Sequence, residues 1–295
     1  MKAISSDHHV YEFKPKMAPA MTVEAPETVV FETLDAMGGQ VQTEEDKLFD
    51  LDFAKINPAT GPILIKGAQP GDTLVVQVQG IELPEQGAIV TGKDMGVLGK
   101  EIESYATKIL PIENGHVCFD DLKLPVSPMI GVIGVAPEKE SHPTGTAHRH
   151  GGNMDTKEIK EGSIVYLPIY QQGAMLAMGD VHAVMGDGEV CVSACEVPSL
   201  ITVEIDVIKG QQKKWPMVEN DEGFYILVSL PSIEEALLEA TREAVAFLSD
   251  VLELSFEEAY MLASLVVDIR ISQLVDPNKT AKVFIPKEHV GDGVF

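Results

Sequence analysis

Basic residues are scarce in this chain: 22 Lys and Arg stand against 46 Asp and Glu, a net charge of −24 over 295 residues. Such a field repels polyanions and argues against nucleic acid and anionic membranes as partners. Cysteine is nearly absent. Cys118, Cys191 and Cys195 form an odd set without a CxxC pair, which argues against a disulfide scaffold and fits a reducing compartment. No apolar run reaches the roughly 18 residues of a membrane helix. The opening MKAISSDHHVYEFKPK lacks the apolar centre of a signal peptide. GxSxG and Walker A motifs are missing, so a nucleophile elbow and a phosphate loop are not on offer. GVIGVAP, from Gly131, is not GxGxxG and reads as a buried strand of small residues. The expectation is a cytoplasmic enzyme or binding protein.

What is present reads mostly as strands and turns over the first 210 residues. ETVVFETLD (27–35), GDTLVVQVQGIEL (71–83), GSIVYLPIY (162–170) and LITVEIDVI (200–208) are rich in β-branched residues and bounded by Pro and Gly. The pattern then changes. PSIEEALLEATREAVAFLSDVL (231–252) has helical spacing, with Ser232 as N-cap and Glu234 and Glu235 in the first turn. Its apolar stripe is Leu237, Leu238, Ala244, Val245 and Leu248, suited to packing or assembly. A second helix starts at Ser255, with Glu258 at capping-box spacing. DIRISQLVD and AKVFIPK return to strand. The fold class expected is mainly β, of sandwich, jelly-roll and barrel elements, with a small α+β C-terminal part. The division falls near residue 211, giving a body over 1–210 and a C-terminal part over 211–295. A homo-oligomer is expected, with a dimer favoured.

The stretch MGDVHAVMGDGEVCVSACE (178–196) concentrates ligands among small apolar residues. Asp180 and His182 stand at i and i+2, so on a strand they share a face and can converge on one ion. MGDG (185–188) reads as a hairpin turn. An even loop then brings Glu189, Cys191 and Ser193 to the face of Asp180 and His182, and sends Val190, Val192 and Ala194 to the apolar face. Glu189 can ligate or move protons, while the motif by itself reads first as the solvent side of an ordinary hairpin. Glu196 falls on the apolar face at the strand's end, where exposure at the sheet edge is expected first and ligation second. The two cysteines read as core residues. A second cluster, GTAHRHGGNMDTKEI (145–159), places His148, His150 and Asp155 around a Gly-Gly-Asn turn; its spacing reads first as a polar surface loop and second as a chelating pair of His. Asp35 closes a strand before Gly38-Gly39, as a binding residue or a plain turn former.

FETLDAMGGQ (31–40), NPATGPILIKGAQPGDTLVVQV (57–78), HGGNMD (150–155), the long block GSIVYLPIYQQGAMLAMGDVHAVMGDGEV (162–190) and DIRISQLVDPNKTAKVFIPK (268–287) together resemble the acetamidase/formamidase family. The likeness covers nearly the whole chain. HGGNMD with AVMGDGE is similar to the acetamidase-like branch, and His148 sits where relatives often have Pro, so no role passes to it. The resemblance implies hydrolysis of a small aliphatic amide to carboxylate and ammonia. It also implies a β-rich fold and a divalent metal, with zinc expected. On that basis Asp35, His150, Asp180 and His182 are the expected ligands. Glu189 is the expected proton carrier and Asp155 a second acid, with backbone N–H groups of the Gly-Gly-Asn turn facing an oxyanion. Hydrolysis of a lactam or other cyclic amide, or a jelly-roll binding module that holds a metal without turnover, would use the same residues.

Overall fold

The computed structural model of the chain describes residues 2–291. The four expected strands are present at Glu27–Thr33, Thr73–Glu82, Ile164–Pro168 and Ser199–Ile208. They lie together in one nine-stranded sheet, with antiparallel pairing between neighbours. Alternation works as the residues require: Ile201, Val203 and Ile205 are buried while Leu200 between two strands' ends stays exposed. A second, larger sheet carries Gln86–Thr91, Glu196–Val197, Leu176–His182, Met129–Gly134 and Gly151–Asn153 in that spatial order. The two sheets share a core. Phe31, Leu74 and Val203 come from the first; Ile63, Ile130 and Met178 come from the second. The mainly β architecture expected from the sequence is the one observed.

The first sheet does not stop at residue 211. It continues through Met217–Glu219, Gly223–Leu230, Lys279–Pro286 and Asp268–Gln273. What changes there is the covering of the outer face. In Gly223–Leu230, Tyr225 and Leu227 join the core between the sheets, while Phe224, Ile226 and Val228 face a second core under the helices. A strand buried on both faces needs no polar alternation, which explains the continuous apolar run.

Helix α1 spans Ile233–Leu252, and the Ser232 side chain accepts from the Glu235 N–H. Helix α2 spans Phe256–Val266, and Ser255 and Glu258 form the reciprocal capping box. The buried stripe of α1 is Ala236, Ala240, Ala244, Val245 and Leu248. This corrects the expected stripe, because Leu238 is 54% exposed. Alanines four residues apart form a low ridge that lets the helix approach the sheet closely. No helix among the described residues is long and apolar enough to cross a membrane.

This packing makes two leucines of one helix unequal. Leu248→Ala should cost about 2–5 kcal/mol by cavity formation. Leu238→Ala should stay within about 0.5 kcal/mol, as for a surface change. Urea unfolding midpoints of the two variants, compared with the parent, check the difference.

Candidate active site

The site grows from the middle of the second sheet. Met129–Gly134 is buried at every residue and lies between Leu176–His182 and Gly151–Asn153. A residue without a side chain is required at Gly131 on this strand: a Cβ there would lie 2.4 Å from Asp155 Oδ1 and 2.7 Å from Asp180 Oδ2. The missing side chain at Gly131 is therefore the space into which two carboxylates fit.

His182 is the centre. It is 1% exposed. Its Nε2 stands 3.2 Å from Glu196 Oε2 and 3.3 Å from Asp180 Oδ1, and 3.9 Å from both Asp155 Oδ1 and Glu189 Oε1. Asp155, Asp180 and His182 can offer ligand atoms to one ion, and so can His182, Glu189 and Glu196. Of the sequence-derived candidates, Asp155, Asp180, His182 and Glu189 thus come together. Asp276, from the turn before Lys279–Pro286, joins them by accepting a 2.9 Å hydrogen bond from Asn153 Nδ2.

Several expectations are altered. Residues 183–195 form no tight hairpin. The strand that pairs with His182 begins only at Glu196. The MGDG segment reaches instead to the end of Asp268–Gln273, where Gly188 N–H donates to the Ser272 carbonyl at 2.7 Å and Leu274 N–H donates to Gly188 O. A partner far along the chain has taken the backbone groups that a local hairpin would pair. Glu189 therefore reaches the site from a loop. Val190, expected on the apolar face, is 59% exposed. Glu196 is not at an exposed edge: it is 3% exposed and faces His182, and ligation or ion pairing is what burial of a carboxylate requires.

His150 and Asp35 lie outside both ligand groupings. The Gly151–Asn153 strand pairs with Met129–Gly134 and leaves His150 packed between Phe13 and His142, at ring distances of 5.1 and 4.7 Å. Asp35 Oδ1 accepts from Gly39 N–H at 3.1 Å, the role of a turn-forming Asp, and burial, with a smaller contribution from Asp180, raises its pKa. The Gly-Gly-Asn backbone, expected to face an oxyanion, is engaged in strand pairing, and the Asn153 side chain reaches the cavity instead. Cys195 is buried, and burial pushes its thiol up to about 12, as suits a core residue.

Sequence reasoning ranked ligation by Glu196 second to exposure at a strand end, and it missed Asp276, which precedes Pro277, where an Asp reads as turn initiation. The only signal for Asp276 is its place inside the family-like segment 268–287.

The electrostatics are unusual. Burial alone would lower His182, but the carboxylates of Glu196 and Asp180 outweigh it and raise its pKa well above the ordinary value. Burial, then Asp155, raises Glu189; burial, then Asp180, raises Asp155. Both oxygens of Asp155 and Oε2 of Glu196 lack a hydrogen-bond donor. Acceptors without donors, packed among other acceptors, call for protons or a cation. The donor set is carboxylate plus imidazole, suited to a divalent ion such as zinc. Its spacing fits as well. Donors about 2.0–2.1 Å from a tetrahedral ion lie roughly 3.3 Å apart, close to the separations of His182 Nε2 from Asp180 and Glu196. Backbone strain accompanies the cluster: Asp155, Asp180 and Glu189 all have positive φ, at 40°, 54° and 44°. Non-Gly residues take up this region rarely, and when they do it is commonly at functional sites.

A cavity of about 170 Å³ opens beside the cluster. Asp180, Glu189, Glu196 and Asp276 give it a polar end, and Met37, Val90, Met95 and Val192 an apolar wall. Its size suits a small molecule with one polar group and a short apolar part.

The profile of the acetamidase/formamidase family matches residues 2–144 and 138–290. The chain belongs to the acetamidase/formamidase family, and its relatives make it an amide hydrolase. An acetamidase of Bacillus halodurans has the same fold at a TM-score of 0.96 and 38% identity, over 98% of this chain and 99% of that one. A predicted acetamidase/formamidase of Thermoanaerobacter tengcongensis matches at 0.95 and 43%, over 98% of each chain. A relative in Schizosaccharomyces pombe that carries the formamidase name is 27% identical over 259 residues, 66% of this chain and 63% of that protein's length.

Gly131 offers a test of the geometry. In Gly131→Ala the new methyl collides with both carboxylates, and misplacement of this kind should lower amide hydrolysis by about 100-fold or more. Gly80→Ala, where a Cβ meets nothing within 4 Å, should keep the parent rate. Ammonia release by the two variants, with circular dichroism as a check on folding, measures this.

Proposed function

We propose that the chain hydrolyses small aliphatic amides, of the acetamide and formamide type, to carboxylate and ammonia with a divalent ion, zinc first, at His182. The observation that carries this reading is the set of buried carboxylates around one imidazole, with donorless oxygens, at the polar end of a small cavity. His182, Asp180 and Asp155 are the residues that would hold the ion, since their ligand atoms lie within 4.8 Å of one another and this grouping leaves Glu189 to move a proton; Asp35 and His150 lie outside it. When bound, such an ion would polarise the amide carbonyl and lower the pKa of water, the two demands of an unactivated amide.

The remaining work falls to side chains. Glu189 lines the cavity and sits 3.9 Å from His182 Nε2. Burial, and then Asp155, raise its pKa well above the ordinary carboxylate value, which strengthens its hold on a proton. In this scheme water adds to the amide carbon as Glu189 takes its proton. Glu189 then passes that proton to the departing nitrogen as the C–N bond breaks. Water and amide thus become carboxylic acid and ammonia, and the acid's proton then passes to ammonia to give carboxylate and ammonium, with no net change at the protein. Burial, and then Asp155, keep Glu189's affinity for the proton high, and Asn153 orients Asp276 at the cavity's edge. The apolar wall excludes bulk water and receives the acyl group. The cavity volume limits the substrate to small amides.

Two substitutions separate holding the ion from moving the proton. Asp180→Asn should lose bound metal and activity together, because a charge that offsets the cation is gone. Glu189→Gln should keep parent metal content and lose a factor of roughly 10²–10⁴ in rate, the contribution of a positioned acid–base group. Metal analysis beside ammonia-release kinetics reads both. Full metal and near-normal turnover in Asp180→Asn would remove the Asp-x-His strand from the ligand set.

A panel of acetamide, formamide, longer aliphatic amides and a small lactam, assayed before and after chelation, tests the reaction itself. Loss of ammonia release on chelation and its return with zinc is the expected outcome. Metal bound without turnover on any amide would instead mark a binding module.

A further inference from the structure

One buried charge lies beside the site and takes no part in the scheme above. Lys282, in the middle of Lys279–Pro286, is 0% exposed, with Ala281 and Val283 equally buried on either side. An ammonium in such a place must be paired. Its Nζ donates to Glu158 Oε2 at 2.6 Å and to Asp187 Oδ1 at 2.7 Å. The two partners differ. Glu158 is itself buried, whereas Asp187 stands in the loop 183–195, and Lys157 holds its other oxygen at 3.0 Å from outside.

Asp187 is two residues before Glu189. The residue between them, Gly188, is fixed by its two backbone hydrogen bonds to Ser272 and Leu274. The loop that delivers Glu189 is therefore tied at two consecutive residues to the strands at either side of the same turn. Glu189 itself needs such support, since its φ of 44° is a conformation that a Glu does not hold unaided. We propose that Lys282 is a positioning residue: its ammonium, anchored by Glu158, latches Asp187 and so sets the loop that aims the Glu189 carboxyl at His182. This rests on the proton-carrying role given to Glu189 above. A purely structural role is the competing account. Buried ion pairs often add little to stability over apolar replacements, so stability alone does not separate the two.

Asp187→Asn removes the loop's charge and leaves Lys282 paired with Glu158, so the core keeps its ion pair. It should lower kcat for acetamide by about 10–100-fold, with KM within about twofold, since a misplaced group costs rate more than binding. Metal content should match the parent. Amide hydrogen exchange in a peptide covering 186–192 should speed up while α1 is unchanged. Lys282→Met should behave alike, and where it fails to fold Asp187→Asn decides. Combining Asp187→Asn with Glu189→Gln should be no slower than Glu189→Gln alone, because both act through one group.

Parent kcat in Asp187→Asn, a change in KM alone, or unaltered exchange over 186–192 would each overturn the latch. The two readings fail separately. If Glu189→Gln keeps the parent rate, or the parent hydrolyses no amide, the role given to Glu189 falls, and the latch is then judged by exchange alone.

Discussion

Mutual repulsion among carboxylates is the constraint around which this molecule is arranged. Asp155, Asp180, Glu189 and Glu196 lie within 3.9 Å of one imidazole nitrogen, each nearly shut off from solvent. Left to themselves, buried like charges take up protons or move apart. Here they are held by backbone that cannot relax easily. Asp180 and His182 sit on a strand paired on both sides, and Glu196 is tied to His182 by strand pairing. A compact set of acceptors with raised proton affinity follows, and that is the property a cation or a shuttled proton requires.

The sandwich explains how such a set can exist. Fully buried strands such as Met129–Gly134 give the centre of the second sheet little freedom, so the positions of neighbouring side chains are set by packing. Gly131 is the clearest case, because its smallness is filled by carboxylate oxygens rather than by solvent. The same sheet places the cluster beside an apolar wall made of Val90 and Val192, so one end of the cavity is charged and the other is not. An amide has the same division, a polar reacting group and an apolar acyl chain.

The C-terminal hairpin, Asp268–Gln273 with Lys279–Pro286, belongs to the first sheet but serves the site in the second. Ser272 and Leu274 bond to Gly188, Asp276 bonds to Asn153, and Lys282 holds Glu158 and Asp187. Thr156 Oγ1 also donates to Ser272 Oγ at 2.8 Å. The helices that cover this hairpin on the other side thus stabilise a support for the site, although they carry none of its reacting groups.

Local chemistry was legible in the chain. The strands at 27–33, 73–82 and 199–208, the caps Ser232 and Ser255, and the convergence of Asp180 with His182 all follow from periods of two or 3.6 residues and from neighbours close in sequence. The family too is written in its motifs. Tertiary structure alone decided the rest. Alternation extrapolated from Asp180 across MGDG assumed a local hairpin, but Ser272, some 80 residues away, claims Gly188 and turns Glu189 inward from a loop. Glu196, read as an edge residue, is buried because Gln86–Thr91 continues the sheet past it. His150 has the right chemistry for a ligand, yet strand pairing of Gly151–Asn153 directs it to Phe13 and His142. Residue type and spacing determined what each group can do, whereas long-range strand pairing, which no local period encodes, determined which groups meet.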